Sequence, residues 1–504
     1  MPTRNPTTPL DLLAQVDLLR ADATTALDQE LRSDLGQFMT PLPAARLMAS
    51  MLSNSRAEVR LLDPGAGSGS LTAAAVWELL AREEVPERIE AVAYEIEPTL
   101  VEYLARTLEL CGAACELVGV GFEARVEATD FLTAAAEQSC LGQRPYNCAI
   151  LNPPYRKIRV GSDARDACRV LGFEVSNLYA AFVGATVQVL EEGGELVAIT
   201  PRSFANGPYF RDFRRFLLDS VSLRRLHVFD SRSRAFRDDD VLQENVILHA
   251  LRASASPETV EITASEGPDA PVRARRVPWD RVVYRHDPEQ FIHLIETDEG
   301  DAVAEQIRRF DNYLHDLGIS VSTGPVVDFR APAFLRAKPR DGTIPLLYPA
   351  HLSGGTVHWP RERAKWNALA LTAESRRLTV PNGNYVLVKR FTAKEERRRV
   401  VAAVYEATAF TTERVGLENH LNFFHEHGRG LPLDLARGLV LYLNSTLVDT
   451  YFRQFSGHTQ VNATDLRNIP YPTREHLTAA GRAVGTVALS QGQVDDAVER
   501  FFLR

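Results

Sequence analysis

Between residues 59 and 252, short apolar runs alternate with stretches of helical spacing. The runs fall at 59–62, 90–94, 124–129, 146–151, 195–199, 225–229 and 245–251. Each has strand length, and 146–151 (Tyr-Asn-Cys-Ala-Ile-Leu) has the pattern of a buried strand. The intervening segments 71–82, 98–111, 177–191 and 209–219 repeat apolar residues at helical intervals. Strands and helices in alternation predict an α/β domain with a mostly parallel, seven-stranded sheet covered by helices. Leu10, Leu12, Leu13, Val16, Leu18 and Leu19 predict an N-terminal helical segment, 1–35. The α/β domain then spans 36–255. Residues 253–272 (Ala-Ser-Ala-Ser-Pro…Gly-Pro-Asp-Ala-Pro) read as loop, and 256–300 as a linker. In 301–504 the periodicity is irregular. Gly-Pro and Pro-x-Pro punctuation at 324–349 predicts short strands, and 434–450 and 475–503 read as helices, giving a mixed α+β domain.

A chain of 504 residues, 45% hydrophobic and 24% charged, has room for two or more globular domains. The amino terminus has no apolar signal core, and no apolar run approaches the ~20 residues of a membrane span. Five cysteines without a Cys-x-x-Cys read as reduced thiols in a cytoplasmic protein. Cys111 and Cys115 share a helical spacing but have no histidine nearby, so no metal is expected. The net charge of −9 argues against a uniformly basic coat. Its distribution is uneven: 301–504 carries about +5 and 1–300 about −14, with about +9 in 331–400 alone. A basic surface beside an acidic half suits a DNA-facing domain, although a solvated basic face has the same composition.

Two motifs bring chemistry to the strand ends. Leu61-Leu62-Asp63-Pro64-Gly65-Ala66-Gly67-Ser68-Gly69 closes the first strand and opens a helix. Glycines 65, 67 and 69 allow a sharp turn and close approach to a ligand. A dinucleotide pyrophosphate is one candidate, but the later glycine of that fingerprint is missing. Asp63 would repel phosphate, and it suits the cationic end of S-adenosylmethionine. Glu95, at the end of the second strand, can accept from ribose hydroxyls. Asp130 offers an acceptor for an adenine amino group, and Phe131 a wall for its ring. After the 146–151 strand comes Asn152-Pro153-Pro154-Tyr155. The prolines fix the backbone and free their carbonyls to accept. With the Asn152 side chain and the Tyr155 face, this corner suits a planar amine.

In this order and spacing, the chain resembles the amino-methylating (adenine-N6) DNA methyltransferases of type II restriction–modification systems. Gly36-Gln37-Phe38-Met39-Thr40-Pro41 is similar to the upstream element that closes over S-adenosylmethionine in that family, which assigns Thr40 and Pro41 to the cofactor. Its place before the glycine turn matches the gamma motif order, which puts target recognition at the carboxyl end. Tyr385–Arg390, Gly416–His425 and Tyr442–Asn462 resemble modification enzymes of the PstI type. The resemblance implies a Rossmann-like S-adenosylmethionine-dependent catalytic domain at 36–255 and target recognition at 301–504. The Asn152 oxygen and Pro153 carbonyl would accept the N6 protons of a flipped-out adenine, and Tyr155 would stack on it. Phe236 matches the position of a second stacking aromatic. Arg156 and Lys157 begin a segment, 156–176, read as a mobile loop on phosphates. Lys389, Arg390, Asn422 and Gln460 are candidate DNA contacts, with base readers and phosphate anchors not separable.

The implied partner is double-stranded DNA, met as a monomer. None of the five lysines follows a Glu-x or Gln-x pair, so any cognate endonuclease is expected to be a separate protein. Asn-Pro-Pro-Tyr also occurs in methyltransferases of protein glutamine and of RNA bases, which are usually smaller. Cytosine-N4 enzymes more often carry Ser at the position of Asn152. A non-catalytic DNA-binding relic would be expected to have lost the glycine turn or the catalytic corner.

Overall fold

The computed structural model describes residues 9–27, 39–53, 55–230, 244–253, 255–284, 286–362, 365–393, 395–457, 459–485 and 489–504. The chain divides into two compact units, Met1–Glu296 and Thr297–Arg504.

The first unit is built on one nine-stranded sheet. Its strands are β1 (Glu58–Pro64), β2 (Arg88–Tyr94), β3 (Gly121–Glu127), β4 (Tyr146–Leu151), β5 (Leu190–Pro201), β6 (Val221–Phe229), β7 (Asn245–Arg252), β8 (Thr259–Ser265) and β9 (Arg273–Pro278). Their order across the sheet is β3-β2-β1-β4-β5-β7-β6-β8-β9. From β3 to β5 every pairing is parallel, and β7 enters antiparallel between β5 and β6. The seven expected strands are the first seven of this order. The sheet continues where a linker was expected: 256–300 holds β8, β9 and the short helix Trp279–Val282. Val260, Ile262 and Ala264 alternate inward on β8, but Ser-Pro and Gly-Pro neighbours mask so short a pattern, and Arg-Ala-Arg-Arg on β9 hides an edge strand. The unit boundary follows at Glu296.

β4 is buried at every position, as the strand at the centre of a helix-covered sheet should be. One face of the sheet packs on helices Leu42–Ala49 and Ser70–Leu80. Cys148, Ile150, Val197, Ile199 and Ile247 share a core cluster there with Met48, Leu71, Val76 and Leu79. Leu12, Leu13 and Val16 of the N-terminal helix Pro9–Ala26 belong to the same cluster, so this helix is part of the first unit's core. Cys111 and Cys115 are also buried in it, on helix Pro98–Leu117. The expected loop 156–176 contains helix Asp163–Val170 and is tied at its base. Ile158 N donates to Ser176 O and Leu178 N to Arg156 O (2.8 and 2.7 Å).

The second unit holds a six-stranded and a five-stranded sheet. The six-stranded sheet runs Ser320–Thr323, Leu421–His425, Tyr385–Lys389, Ala402–Tyr405, Thr356–Val357, Leu352–Ser353. Helices Leu433–Leu443 and Arg474–Val484 cross backbone to backbone at Gly438 and Gly481, where a methyl group would overlap the facing carbonyl of Leu477 or Asp434. Among the described residues, no helix is long and apolar enough to cross a membrane.

Candidate functional site

The winding of the first sheet reverses between β1 and β4. A crevice opens outside the carboxyl ends of strands at such a point. Here it is a cleft lined by Thr40, Gly65, Gly67, Glu95, Asp130, Phe131, Asn152 and Pro154 among others. Eight of the residues expected from sequence to bind cofactor or carry catalysis therefore share one cavity wall.

The glycine turn is fixed by what surrounds it. Gly65 N and Ala66 N donate to Tyr94 O, and Gly67 N to Glu95 Oε2, each at 2.9 Å. All three glycines have positive φ, which other residues rarely adopt. Gly67 and Gly69 differ in their surroundings. A methyl on Gly67 would meet nothing within 4 Å. One on Gly69 would lie 2.9 Å from both Leu104 and Thr107. Gly69 therefore serves helix packing and lies off the cleft wall. So does Asp63, which is buried below the turn with Oδ2 accepting from Thr72 N and Oγ1 (3.2 and 2.7 Å). Its other oxygen, Oδ1, has no hydrogen-bond partner among the described residues. Burial, reinforced by the Glu95 charge and opposed by the Thr72 bonds, pushes the Asp63 carboxyl up to about 7.

Glu95 is nearly buried yet faces the cleft. Its Oε1 accepts from Ile96 N and Glu97 N (2.8 and 2.9 Å), which locks the carboxylate in place. Asp130 caps helix Phe131–Cys140 by accepting from Thr133 N at 2.9 Å. Phe131 packs against Tyr94 and Phe182, with ring centroids 5.2 and 5.5 Å apart. Ile96, Leu100, Leu71, Leu178 and Phe182 complete an apolar lining that sequence reasoning missed. Only Ile96 had a signal, an exposed apolar residue directly after the acid that ends β2; the others belong to helices whose apolar faces read as core.

Asn152 Nδ2 donates to Thr40 Oγ1 at 3.1 Å, so the upstream element orients the catalytic-corner amide. Pro41 lies beside Thr40 at the start of helix Leu42–Ala49 and, like Pro153, is off the cleft wall. Tyr155 is half-buried on the far side of the corner, edge-on to Tyr179 (6.2 Å) with its hydroxyl 3.4 Å from Ile199 O. Burial holds its phenol well above the usual range. Arg156 lines the cleft, and Lys157 is exposed and bridged to Asn177. Phe236 and Gly36-Gln37-Phe38 lie outside the described residues.

In the second unit, one expected DNA contact is misplaced. Asn422 is 0% exposed: its Oδ1 accepts from Thr323 Oγ1 (3.1 Å) and its Nδ2 donates to Val461 O (2.7 Å). It is a core residue joining strands, in a segment where sequence alone does not distinguish inward from outward positions. Lys389, Arg390 and Gln460 are half-buried. Arg390 N donates to His420 O and Arg390 Nη1 to Asn419 O (2.9 and 3.2 Å). Phe391, 41% exposed, bridges to Gln460 and packs on His420 (4.9 Å). Asn419 N donates to Val326 O (2.8 Å), and three residues on is Phe329, 78% exposed beneath the Arg330 guanidinium. Arg330 thus pairs with Phe329 and Arg390 with Phe391, and the sequence marked neither aromatic.

Residues 121–236 match the family described as Eco57I restriction-modification methylase. The chain is 42% identical over 496 residues to the type II methyltransferase M.PstI of Providencia stuartii, covering 98% of this chain and 97% of that protein. It is 41% identical over 493 residues to the type II methyltransferase M.BsuBI of Bacillus subtilis, covering 96% of each. Among solved structures, the type IIL restriction-modification enzyme MmeI in complex with DNA matches with a TM-score of 0.54 and 11% identity, covering 98% of this chain and 75% of that one. This last likeness is one of fold.

Proposed function

Since this chain belongs to the type II DNA methyltransferases of restriction–modification systems, we propose that it methylates adenine at N6 in duplex DNA, with S-adenosylmethionine as methyl donor. Its larger unit has the Rossmann-like fold of S-adenosylmethionine-dependent methyltransferases. The observation that carries the adenine reading is the Asn152 amide, held by Thr40 on the wall of the cleft that Glu95, Asp130 and Phe131 also line.

The donor set of the cleft fits the cofactor. Glu95 accepts from vicinal ribose hydroxyls, Phe131 and Ile96 provide apolar walls for an adenine ring, and Asp130 lies at its polar edge. The open space over Gly67 leaves the backbone accessible, and the buried Asp63 carboxyl favours a cation nearby. Bound there, S-adenosylmethionine supplies a methyl group activated by a sulfonium.

The chain's own residues prepare the acceptor. Adenine N6 is a weak nucleophile because its lone pair is delocalised into the ring. Asn152 Oδ1 and Pro153 O accept hydrogen bonds from its two N–H groups, draw the amine towards tetrahedral geometry and direct the lone pair into the cleft; the methylated nitrogen, cationic once the N–C bond has formed, then releases one proton to water. Alignment and fixed dipoles supply the rate effect, and no strong base is needed. The base must leave the helix to reach this corner, at a cost of a few kcal/mol. Stacking on Tyr155 offsets this by roughly 1–3 kcal/mol. We assign sequence recognition to the 301–504 unit in a gamma motif order, with Lys389, Arg390, Gln460 and the aromatic–arginine surface around Phe391 facing DNA. The enzyme acts as a monomer, and any cognate endonuclease is separate.

Methyl transfer from labelled S-adenosylmethionine into duplex DNA, followed by nucleoside analysis, tests this reading. N6-methyladenine is expected, and Asn152→Ala should abolish it while retaining cofactor binding. N4-methylcytosine, or labelling of RNA or protein instead of DNA, would overturn it.

A further inference from the structure

Beyond Asn152 the edge of the sheet continues onto β5 and β7. Leu151, the last residue of β4, pairs with Ala198, and Asn152 follows it directly. Pro201 in turn pairs with Asn245, the first residue of β7. Ile150, Ile199 and Ile247 belong to one core cluster on one face of the sheet. Side chains alternate along a strand, so Asn245 projects towards the face of Ile247, and Asn152, two residues after Ile150, continues the same alternation just past the end of β4. Just ahead of Asn245, the backbone is held by Arg202 N donating to Glu244 O (2.7 Å) and by a buried Arg202–Glu244 ion pair (3.3 Å).

Asn245 is 4% exposed, and among the described residues neither its Oδ1 nor its Nδ2 has a hydrogen-bond partner. Buried polar atoms are paired in the great majority of cases. A buried amide with both ends unpaired is therefore a position that a polar ligand would complete.

Geometry gives the ligand's direction. The cofactor cleft lies over the ends of β1, β2 and β3, with Gly67, Glu95 and Asp130 on its wall. An amine held at Asn152 must point its lone pair into that cleft. The ring carrying the amine then lies on the opposite side, over β5 and β7. Asn245 is two strand spacings from β4, about 10 Å across the sheet. With the amino protons taken by Asn152 and Pro153, the neighbouring ring nitrogen remains as an acceptor, and the Asn245 amide has a donor to give it.

We propose that Asn245 binds the target base, its Nδ2 donating to the ring nitrogen beside the amino-bearing carbon, which is N1 of adenine. This rests on the adenine reading above. The test uses the full chain and a synthetic duplex carrying its mapped site, with adenine or 1-deazaadenine at the target. The wild type should lose about 10- to 100-fold in kcat/KM on the analogue. Asn245→Leu should lose as much on adenine and show little further loss on 1-deazaadenine. Asn245→Ser, which keeps a donor, should recover part of the activity if the leucine variant folds poorly. Melting temperature and cofactor affinity report folding. An equal further loss on the analogue in Asn245→Leu would overturn the proposal. So would a fully active leucine variant with a raised melting temperature, since the amide would then be only a buried polar group. If the wild-type product is N4-methylcytosine, the adenine reading fails, and the same cycle with 3-deazacytosine decides for Asn245 at N3.

Discussion

Alanine at Gly67 and at Gly69 should produce opposite defects, although the two residues share one turn and a positive φ (59° and 87°). For either, alanine in a left-handed conformation costs roughly 1–2 kcal/mol. At Gly69 the new methyl also sits 2.9 Å from Leu104 Cδ1 and Thr107 Cγ2, both side chains of helix Pro98–Leu117. Thr107 cannot swing away freely, because its hydroxyl donates to Ser68 O at 2.7 Å. Overpacking of this kind adds about 1–3 kcal/mol. Gly69→Ala should therefore lose roughly 2–5 kcal/mol of stability in urea titration, while molecules that remain folded bind S-adenosylmethionine with little change. At Gly67 the methyl enters open space over the cleft. Gly67→Ala should lose only the roughly 1–2 kcal/mol of backbone strain, but weaken cofactor affinity by about 10- to 100-fold, or ~1.4–2.8 kcal/mol. Calorimetric titration with S-adenosylmethionine beside the urea curves separates the two effects. Unchanged affinity in Gly67→Ala would refute the placement of the cofactor over this turn, and unchanged stability in Gly69→Ala would refute the packing argument.

Asp63 should link protons to both folding and cofactor binding. Its folded pKa of about 7 exceeds the ordinary 3.8, so the folded protein keeps a proton the unfolded chain has lost. Stability should fall as pH rises from about 4 to 7, by at most about 4 kcal/mol from this group. A cation in the cleft favours the ionised form, so S-adenosylmethionine should bind with proton release and more tightly at pH 8 than at pH 6; titration in buffers of different ionisation heat would show no release if the cation lies elsewhere, and Asp63→Asn should flatten both trends. Asn422→Ala should cost about 1–3 kcal/mol by stranding Thr323 Oγ1 and Val461 O; an altered sequence preference with normal stability would restore Asn422 as a base reader. Arg390→Ala should weaken DNA binding and lower the salt dependence of log K by about one, whereas Phe391→Ala should weaken binding and leave the salt slope unchanged; an unchanged affinity in both would remove this surface from the interface.

The first unit was legible because its chemistry lies at strand ends, where motif, turn residues and strand pattern coincide. Glu95 and Asn152 could be placed from spacing alone because each directly follows a buried strand, and Phe131 because it opens the helix after β3. Asp63 was legible as important but not as buried, since nothing in Leu-Leu-Asp-Pro says which way the carboxylate turns; Thr72, nine residues on, decides that. β8 was hidden by its Ser-Pro and Gly-Pro neighbours, and β9 because an edge strand needs few apolar residues and tolerates Arg and Pro. The second unit resisted for a further reason. Its strands run two to five residues, too short for alternation to set a register, and their inward side includes polar residues such as Asn422. When polar side chains satisfy one another across strands, residue type no longer distinguishes core from surface. Asn245 escaped notice for a different reason: in Glu-Asn-Val-Ile-Leu it reads as the polar start of a strand, and only its burial without a partner among the described residues marks it as a candidate for the base.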